Sequence, residues 1–403
     1  MSSLKPPETP HRTAPRSTTA RSHLRTSRLR IVRPPAILIV GASITGPILA
    51  LLLCRAGFDA VSVLDAAPAV TERGGGVLGL RHPSLDILDR AGVDQNDYVT
   101  HPSERIRTIE VRHRRTNGPA THLYPGRNTT WTQLHHALTR RLPDGTLRTG
   151  QRVTHLHLAG GRPQLTVAGA DPYSADLVIF CDGRTSVGRR ILDPRRRLRY
   201  AGYVAHRGHT DAPTDNRTSY LADFCRYEPV PGGLQFNLAP VPGGLDWTMH
   251  LNTHAADYTA WCGTTPTRRA YLPAAPQAAR DQVDQAAAEH LPAELADLVA
   301  DTPRRAAAPV LDIPAPRRMV WPLGRGHTIL LGDALAPVRP HTGMGANLGI
   351  EQAAGLTAAL TQHSRHGADL PTALESFQAR HLPAVTAVLR EGRAIARALR
   401  LGV

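Results

Sequence analysis

Ile37-Leu38-Ile39-Val40-Gly41-Ala42-Ser43-Ile44-Thr45-Gly46-Pro47 decides the fold. Four consecutive apolar residues read as a strand buried on both faces. Gly41-x-Ser43-x-x-Gly46 reads as a tight turn, and Pro47 fits the first turn of a helix, where its missing N–H costs nothing. The helix runs to Ala56-Gly57, and a second apolar strand, Ala60 to Leu64, ends in Asp65. This is the dinucleotide-binding βαβ layout: glycines for the turn, a helix N-terminus for a pyrophosphate, and an acid for ribose hydroxyls. Ser43 stands where the fingerprint has its middle glycine. The uncharged run Ala36 to Cys54 also has the length of a membrane span, but Gly41, Gly46 and Pro47 interrupt its centre, so the βαβ reading is preferred.

Two further stretches have the same grammar. Leu177-Val178-Ile179-Phe180 is a buried strand that ends in Cys181-Asp182-Gly183-Arg184-Thr185-Ser186. Near the C-terminus, Thr328-Ile329-Leu330-Leu331 leads into Gly332-Asp333, a proline-stiffened loop through Pro340-His341-Thr342, and then Gly343-Met344-Gly345-Ala346-Asn347 at the start of a helix expected to continue to about Thr361. A strand feeding a Gly/Pro loop into a helix N-terminus builds a cradle for an anion or a polarised carbonyl. Asp333 can accept hydrogen bonds from sugar-type hydroxyls, and Gly343 and Gly345 let backbone approach a flat ligand.

Between these motifs, Gly74-Gly75-Gly76 reads as a flexible loop, Pro83 to Ala91 and Trp131 to Leu142 as helices, and Ile106 to His113 as a strand. Residues 198–252 alternate, with breaks at Pro231-Gly232-Gly233 and Pro242-Gly243-Gly244, and predict an antiparallel sheet. Its last strand would carry Thr248, His250 and Asn252 on one face and Trp247, Met249 and Leu251 on the other, so it could wall a pocket. Residues 270–305 are Ala-rich and helical. Residues 370–403 read as an Arg-rich helix with an apolar stripe (Val385, Val388, Leu389, Ile395, Leu399) that packs on the body.

The formal charge of +15 does not mark a nucleic-acid binder. The first 33 residues carry eight basic residues against Glu8, a net +7, which leaves +8 spread over the rest. No alternation of basic and aromatic residues accompanies it. That Ser/Thr/Pro-rich tail is expected to be disordered. Cys54, Cys181, Cys225 and Cys262 show no CxxC spacing, which points to free thiols, no metal site and a reducing, cytoplasmic setting.

Taken together and in this order, the three motifs resemble those of the FAD-dependent aromatic hydroxylases, the group A flavoprotein monooxygenases related to p-hydroxybenzoate hydroxylase. The carriers are Gly41-x-Ser43-x-x-Gly46 with Asp65, Asp182-Gly183-x-x-Ser186 followed by Arg189, and Gly332-Asp333 with Pro340, Gly343, Gly345 and Asn347. Tyr200-Ala201-Gly202-Tyr203-Val204-Ala205-His206-Arg207-Gly208, Arg339-Pro340-His341 and Trp131 are similar to the 2,6-dihydroxypyridine hydroxylase-like branch. Departures are His206 in place of the usual Trp, Trp131 in place of the wider family's Arg, and Asp65 where many members have Glu.

The resemblance implies an α/β fold: a Rossmann-type FAD-binding domain (34–103, 129–192 and 319–365) interleaved with a mixed or antiparallel β-sheet substrate domain (104–128 and 193–318), then a helical C-terminal segment (366–403), after the tail 1–33. It implies that Gly41, Ser43, Ile44 and Gly46 line the cofactor turn and that Asp65 holds the adenosine ribose. Asp182 and Gly183 would lie by the pyrophosphate, Asp333 would bind the ribitol, and Gly343, Gly345, Ala346 and Asn347 would contact the pyrimidine end of the flavin. Arg207, His206 and Pro340 would act at the reacting end. The implied reaction uses NADPH or NADH to reduce FAD; O₂ then adds to the flavin, and the hydroperoxide hydroxylates a small aromatic or heteroaromatic ring. Baeyer–Villiger oxidation, epoxidation and desaturation use the same cofactor chemistry, and a membrane-anchored or nucleic-acid-binding protein using the basic tail is the competing class. The enzyme is expected as a monomer or homodimer. A phenol hydroxylase often needs a base, for which His206, His250, Tyr203, Tyr220 and His82 are the candidates.

Overall fold

In this computed structural model the described residues are 35–69, 76–101, 104–212, 216–268 and 271–402. The basic tail and Gly74-Gly75 lie outside them. The uncharged run that could have been a membrane span resolves into strand Ile37–Val40, the glycine turn and helix Thr45–Arg55. Among the described residues no helix is long and apolar enough to cross a membrane.

Strand Ile37–Val40 pairs in parallel with Val61–Leu64 on one side and with Leu177–Phe180 on the other, and Leu177–Phe180 pairs in parallel with Gly326–Leu330. Leu147–Arg148 and the antiparallel Val320–Leu323 complete a six-stranded sheet. Its central strands are buried along their whole length, which is why they read as unbroken apolar runs. The register sets Val40, Phe180 and Leu330 side by side. The three motifs, more than a hundred residues apart in sequence, therefore leave the same carboxyl edge of the sheet, where open α/β sheets hold their ligands.

The second sheet has eight strands. Arg199–Asp211 lies between Arg305–Asp312 and Gly244–Asn252, both antiparallel to it. Leu234–Val241, Phe224–Pro229 and Arg105–Arg112 follow, the last two paired in parallel. The hairpin breaks fall where expected. Trp247 and Met249 are buried against Phe236, Leu238 and the helices Gln277–His290 and Ala293–Ala300, while Thr248 and His250 face the other way, into a cavity. Strand alternation thus gives this sheet one core face and one cavity-walling face.

Two helices differ from expectation at their ends. The one after Met344 runs Gly345–His366, a turn and more past Thr361, and stops where Gly367 takes φ +69. The segment before Gln277 is not helical: Leu272 pairs with Ala307, and Ala275 donates to Arg305 O, so it is pinned onto the Arg305–Asp312 strand. The C-terminal helix Leu370–Ala398 packs on Gly345–His366 and buries Val385, Val388 and Leu389 of the expected stripe.

Candidate active site

Close backbone contact at the sheet edge requires glycine. A Cβ on Gly41, which has φ +103, would sit 2.6 Å from Cys181 O, and one on Gly46 would sit 2.0 Å from Gly41 O. Added at Gly332 or Gly349, a Cβ would meet Thr45 Oγ1 at 2.7 or 2.2 Å. The first turn of helix Thr45–Arg55 is thus packed against Gly41 and the third motif, while Gly41 itself packs against the second motif at Cys181.

A cavity of about 730 Å³ opens there. Gly41, Ser43, Asp65, Asp182, Gly183, Asp333 and Pro340 line it, as do Trp131, Arg152, Arg184, Arg207 and Tyr271. Asp65 Oδ2 accepts from Ala42 N (2.7 Å) and Oδ1 from Ala67 N (2.8 Å), so the acid sits directly beside the turn. Asp182 Oδ2 accepts from Val187 N, whereas its Oδ1 is buried without a partner. Burial raises the Asp182 carboxyl above its ordinary value, opposed by Ser186 and the backbone of the following helix. Asp333 is raised by burial too, against the pull of Arg184 and Arg189. Arg189 is itself nearly inaccessible and donates to Asp333 O, Ala334 O and Arg184 O, which fixes the turn that carries Asp333.

A second, smaller cavity of about 270 Å³ adjoins it, and Arg207 and Pro340 line both. The guanidinium of Arg207 lies over the backbone of Gly76, where a Cβ would be 2.9 Å from Nη1. Its Nε is buried with no partner, and burial together with Arg184 lowers its pKa. The small cavity is walled by Tyr124, Arg226, Asn237, Asp246, Thr248 and His250. His341 and Gln235 line it too: His341 Nε2 and the Tyr203 hydroxyl lie 2.9 Å apart, and His341 Nδ1 is 3.1 Å from Gln235 Oε1.

Several expected contacts line neither cavity. Ile44 and Gly46 are core positions of the turn. The Asn347 side chain is spent on backbone: Oδ1 accepts from Arg81 N, and Nδ2 donates to Gly79 O and Gly343 O. It latches strand Val77–Arg81 to the helix start and is not free for a ligand. Gly345 and Ala346 are likewise set back behind Gly343, which does line the small cavity. The expectation for His206 needs correction. Strand alternation turns it away from Arg207, and it is 3% exposed on the face opposite the cavities.

Sequence reasoning missed Tyr271, Arg226, Asp246 and Tyr124 as cavity residues. Trp131, which sequence marked only as a departure from the wider family, lines the large cavity. The indole donates to Ser43 Oγ at 3.0 Å and stacks on His135, so the serine in the glycine fingerprint and the Trp in place of Arg are partners.

The large cavity fits an FAD. It has the glycine cradle at a helix N-terminus, an acid at each of three strand ends, and an orphaned carboxylate oxygen on Asp182 that requires a donor. Comparison with known proteins agrees. A 6-hydroxynicotinate 3-monooxygenase of Bordetella bronchiseptica is 28% identical over 349 residues, 81% of this chain and 83% of that one. A salicylate hydroxylase of Pseudomonas putida is 26% identical over 375 residues, 84% and 80% of the two chains. The solved structure of 2,6-dihydroxypyridine-3-hydroxylase from Arthrobacter nicotinovorans has the same fold, with a TM-score of 0.79 at 23% identity over 92% of this chain and 93% of that one. The fold expected from the motifs is borne out. A model of the FAD binding domain family matches residues 35–392, and the chain belongs to that family of flavin-dependent monooxygenases.

Proposed function

We propose that this enzyme hydroxylates a small aromatic or heteroaromatic molecule, with FAD in the large cavity, the substrate in the small one, NADPH or NADH as reductant and O₂ as the oxygen donor. The observation that carries the reading is the junction: the two cavities share Arg207 and Pro340 and nothing else in their linings. An elongated cofactor in the first can present one end to a flat molecule in the second.

Bound FAD supplies two-electron reduction and oxygen activation. The chain's own residues do the rest. The helix N-terminus behind Gly41 and Ser43 meets a pyrophosphate with oriented N–H groups. Asp65 and Asp333 line the large cavity as carboxylates suited to ribose and ribitol hydroxyls, and Asp182 Oδ1 accepts from a donor near the pyrophosphate. The helix that begins at Gly345 directs its positive end toward the loop carrying Gly343, favouring negative charge on a ring held there. Pro340 covers the junction with rigid apolar surface, and Arg207 adds a partly desolvated positive charge beside it. Arg226, Asn237, Thr248 and His250 give the small cavity the polar groups that orient a substituted ring, which favours hydroxylation of such a ring over oxidation of an apolar chain.

The test is turnover under ¹⁸O₂ of FAD-loaded enzyme with a panel of hydroxypyridines and phenols. One labelled oxygen atom in a ring-retained product is expected. Label in a ring-expanded ester, or an unlabelled product, would overturn ring hydroxylation.

A further inference from the structure

Five side chains are candidates by residue type to take a proton from the substrate, and their surroundings sort them. Tyr203 is tied to His341, and the Tyr220 hydroxyl donates to Glu294. His82 is half-exposed, 3.8 Å from Glu104. His206 lies on the far face of its strand. His250 is the one that lines the small cavity. It is 3% exposed, and neither ring nitrogen has a hydrogen-bond partner. A neutral imidazole carries one donor and one acceptor, and leaving both unmet in a buried place is costly unless a ligand meets them.

The surroundings of His250 are defined on every side. Its own strand, Gly244–Asn252, sets it opposite Ala205 and Gln235 on the neighbouring strands. His341 packs edge-on from the Pro340–Thr342 turn with ring centroids 4.5 Å apart, and Tyr203 is 6.1 Å away. Arg207 from strand Arg199–Asp211 and Arg226 from strand Phe224–Pro229 are the cations that face it, with His206 more remote. Among the described residues Asp246 is the one carboxylate lining the cavity, and it is engaged by His209 Nδ1 at 2.8 Å.

We propose that His250 is the catalytic base: a free ring nitrogen accepts the proton of an acidic O–H or N–H on the bound ring, leaving the ring anion and an imidazolium. This rests on the small cavity being the substrate site. The ring O–H (or N–H) bond breaks, an N–H bond forms on His250, and the electron pair stays on the ring; no electron changes hands. Burial, His341 and the two arginines disfavour a charged His250 and at first sight argue against it as a base. The same arginines favour the ring anion, because the two charge changes are opposite in sign and occur in one cavity. The net transfer moves a proton within a site whose total charge stays constant. The resulting anion is the electron-rich form that accepts oxygen.

The test uses FAD-loaded enzyme and 4-hydroxy-3-nitrobenzoate, whose absorbance moves to longer wavelength when the ring oxygen ionises. Difference spectra across pH give the ionisation midpoint of the bound probe. In the wild type it should fall about one pH unit or more below that of the free probe. His250→Gln should raise it by a similar amount, and His250→Ala should recover the wild-type midpoint on addition of imidazole. Flavin absorbance of each variant reports its folding. An unchanged midpoint in both variants overturns the proposal, as does a flavin-loaded wild type that binds the probe only in its protonated form or not at all. A protein without a flavin band overturns the parent reading as well and is told apart by that spectrum.

Discussion

Gly46→Ala is the sharpest perturbation of the cofactor turn. The new Cβ would be placed 2.0 Å from the backbone oxygen of Gly41, where real Cβ contacts stay above 3.0 Å, so about 1 Å of separation must open between strand end and helix. The helix cannot yield freely, since Gly46, Pro47, Ile48, Leu49, Ala50, Leu51 and Leu53 are all buried. Overpacking of this kind costs about 1–3 kcal/mol. The same displacement carries the helix N-terminus away from the pyrophosphate. Each hydrogen bond to a charged group contributes about 1.5–3 kcal/mol, so weakening one or two raises the FAD dissociation constant by about 10² or more. Titration of apoprotein with FAD, followed by flavin fluorescence, measures the second effect, and urea unfolding of the same apoprotein measures the first. A G46A protein that binds FAD within about threefold of wild type and unfolds at the same urea concentration would refute the close-packed turn.

Arg189→Met removes a buried cation that bonds three carbonyls, and should cost about 3–5 kcal/mol of stability by urea denaturation while weakening FAD through Asp333. His206, His250 and His341 are all held below the ordinary histidine value by burial, His206 at about 4 and His341 at about 3. The unfolded chain therefore binds more protons: their stability contribution is full above about pH 6.5 and is lost as pH falls toward 4, each imidazole approaching about 1.4 kcal/mol per pH unit. Asp182 and Asp333, raised by burial, act in the opposite sense from the ordinary carboxylate value upward. Urea midpoints should drop steeply between pH 7 and 5, and His206→Phe should flatten that slope; a flat profile counts against neutral buried histidines. Arg207→Leu should leave FAD bound within about tenfold yet lower kcat/KM for the aromatic substrate by about 10² or more, since the residue sits at the junction and not in the cradle.

The features legible from sequence were those set by local backbone rules. Gly41 and Gly46 mark a turn because a Cβ at either would run into backbone, and Pro47 suits the first turn of the helix that follows. The alternating faces of Gly244–Asn252 were readable too, because a strand's period is fixed. What could not be read depends on register between distant strands. Arg226 reaches the small cavity because its strand pairs with Arg105–Arg112 and Leu234–Val241, and nothing in its neighbours announces that. Asn347 looked like a ligand group and is a latch to Gly79 and Arg81, more than 260 residues earlier in the chain. Tyr271 enters the large cavity because one short bridge, Leu272 to Ala307, pins its segment to the sheet. Ser43 and Trp131 each look like a departure from a motif, and only their 3.0 Å hydrogen bond explains why they occur together.

The visible absorption spectrum of the purified protein, recorded before and after NADH or NADPH without oxygen and again after air is admitted, tests the two-cavity arrangement most simply. The arrangement predicts a flavin spectrum that bleaches, recovers with oxygen, and bleaches faster when an aromatic substrate fills the small cavity. A protein that stays colourless after incubation with FAD, or a flavin whose reduction no aromatic ligand accelerates, would contradict it.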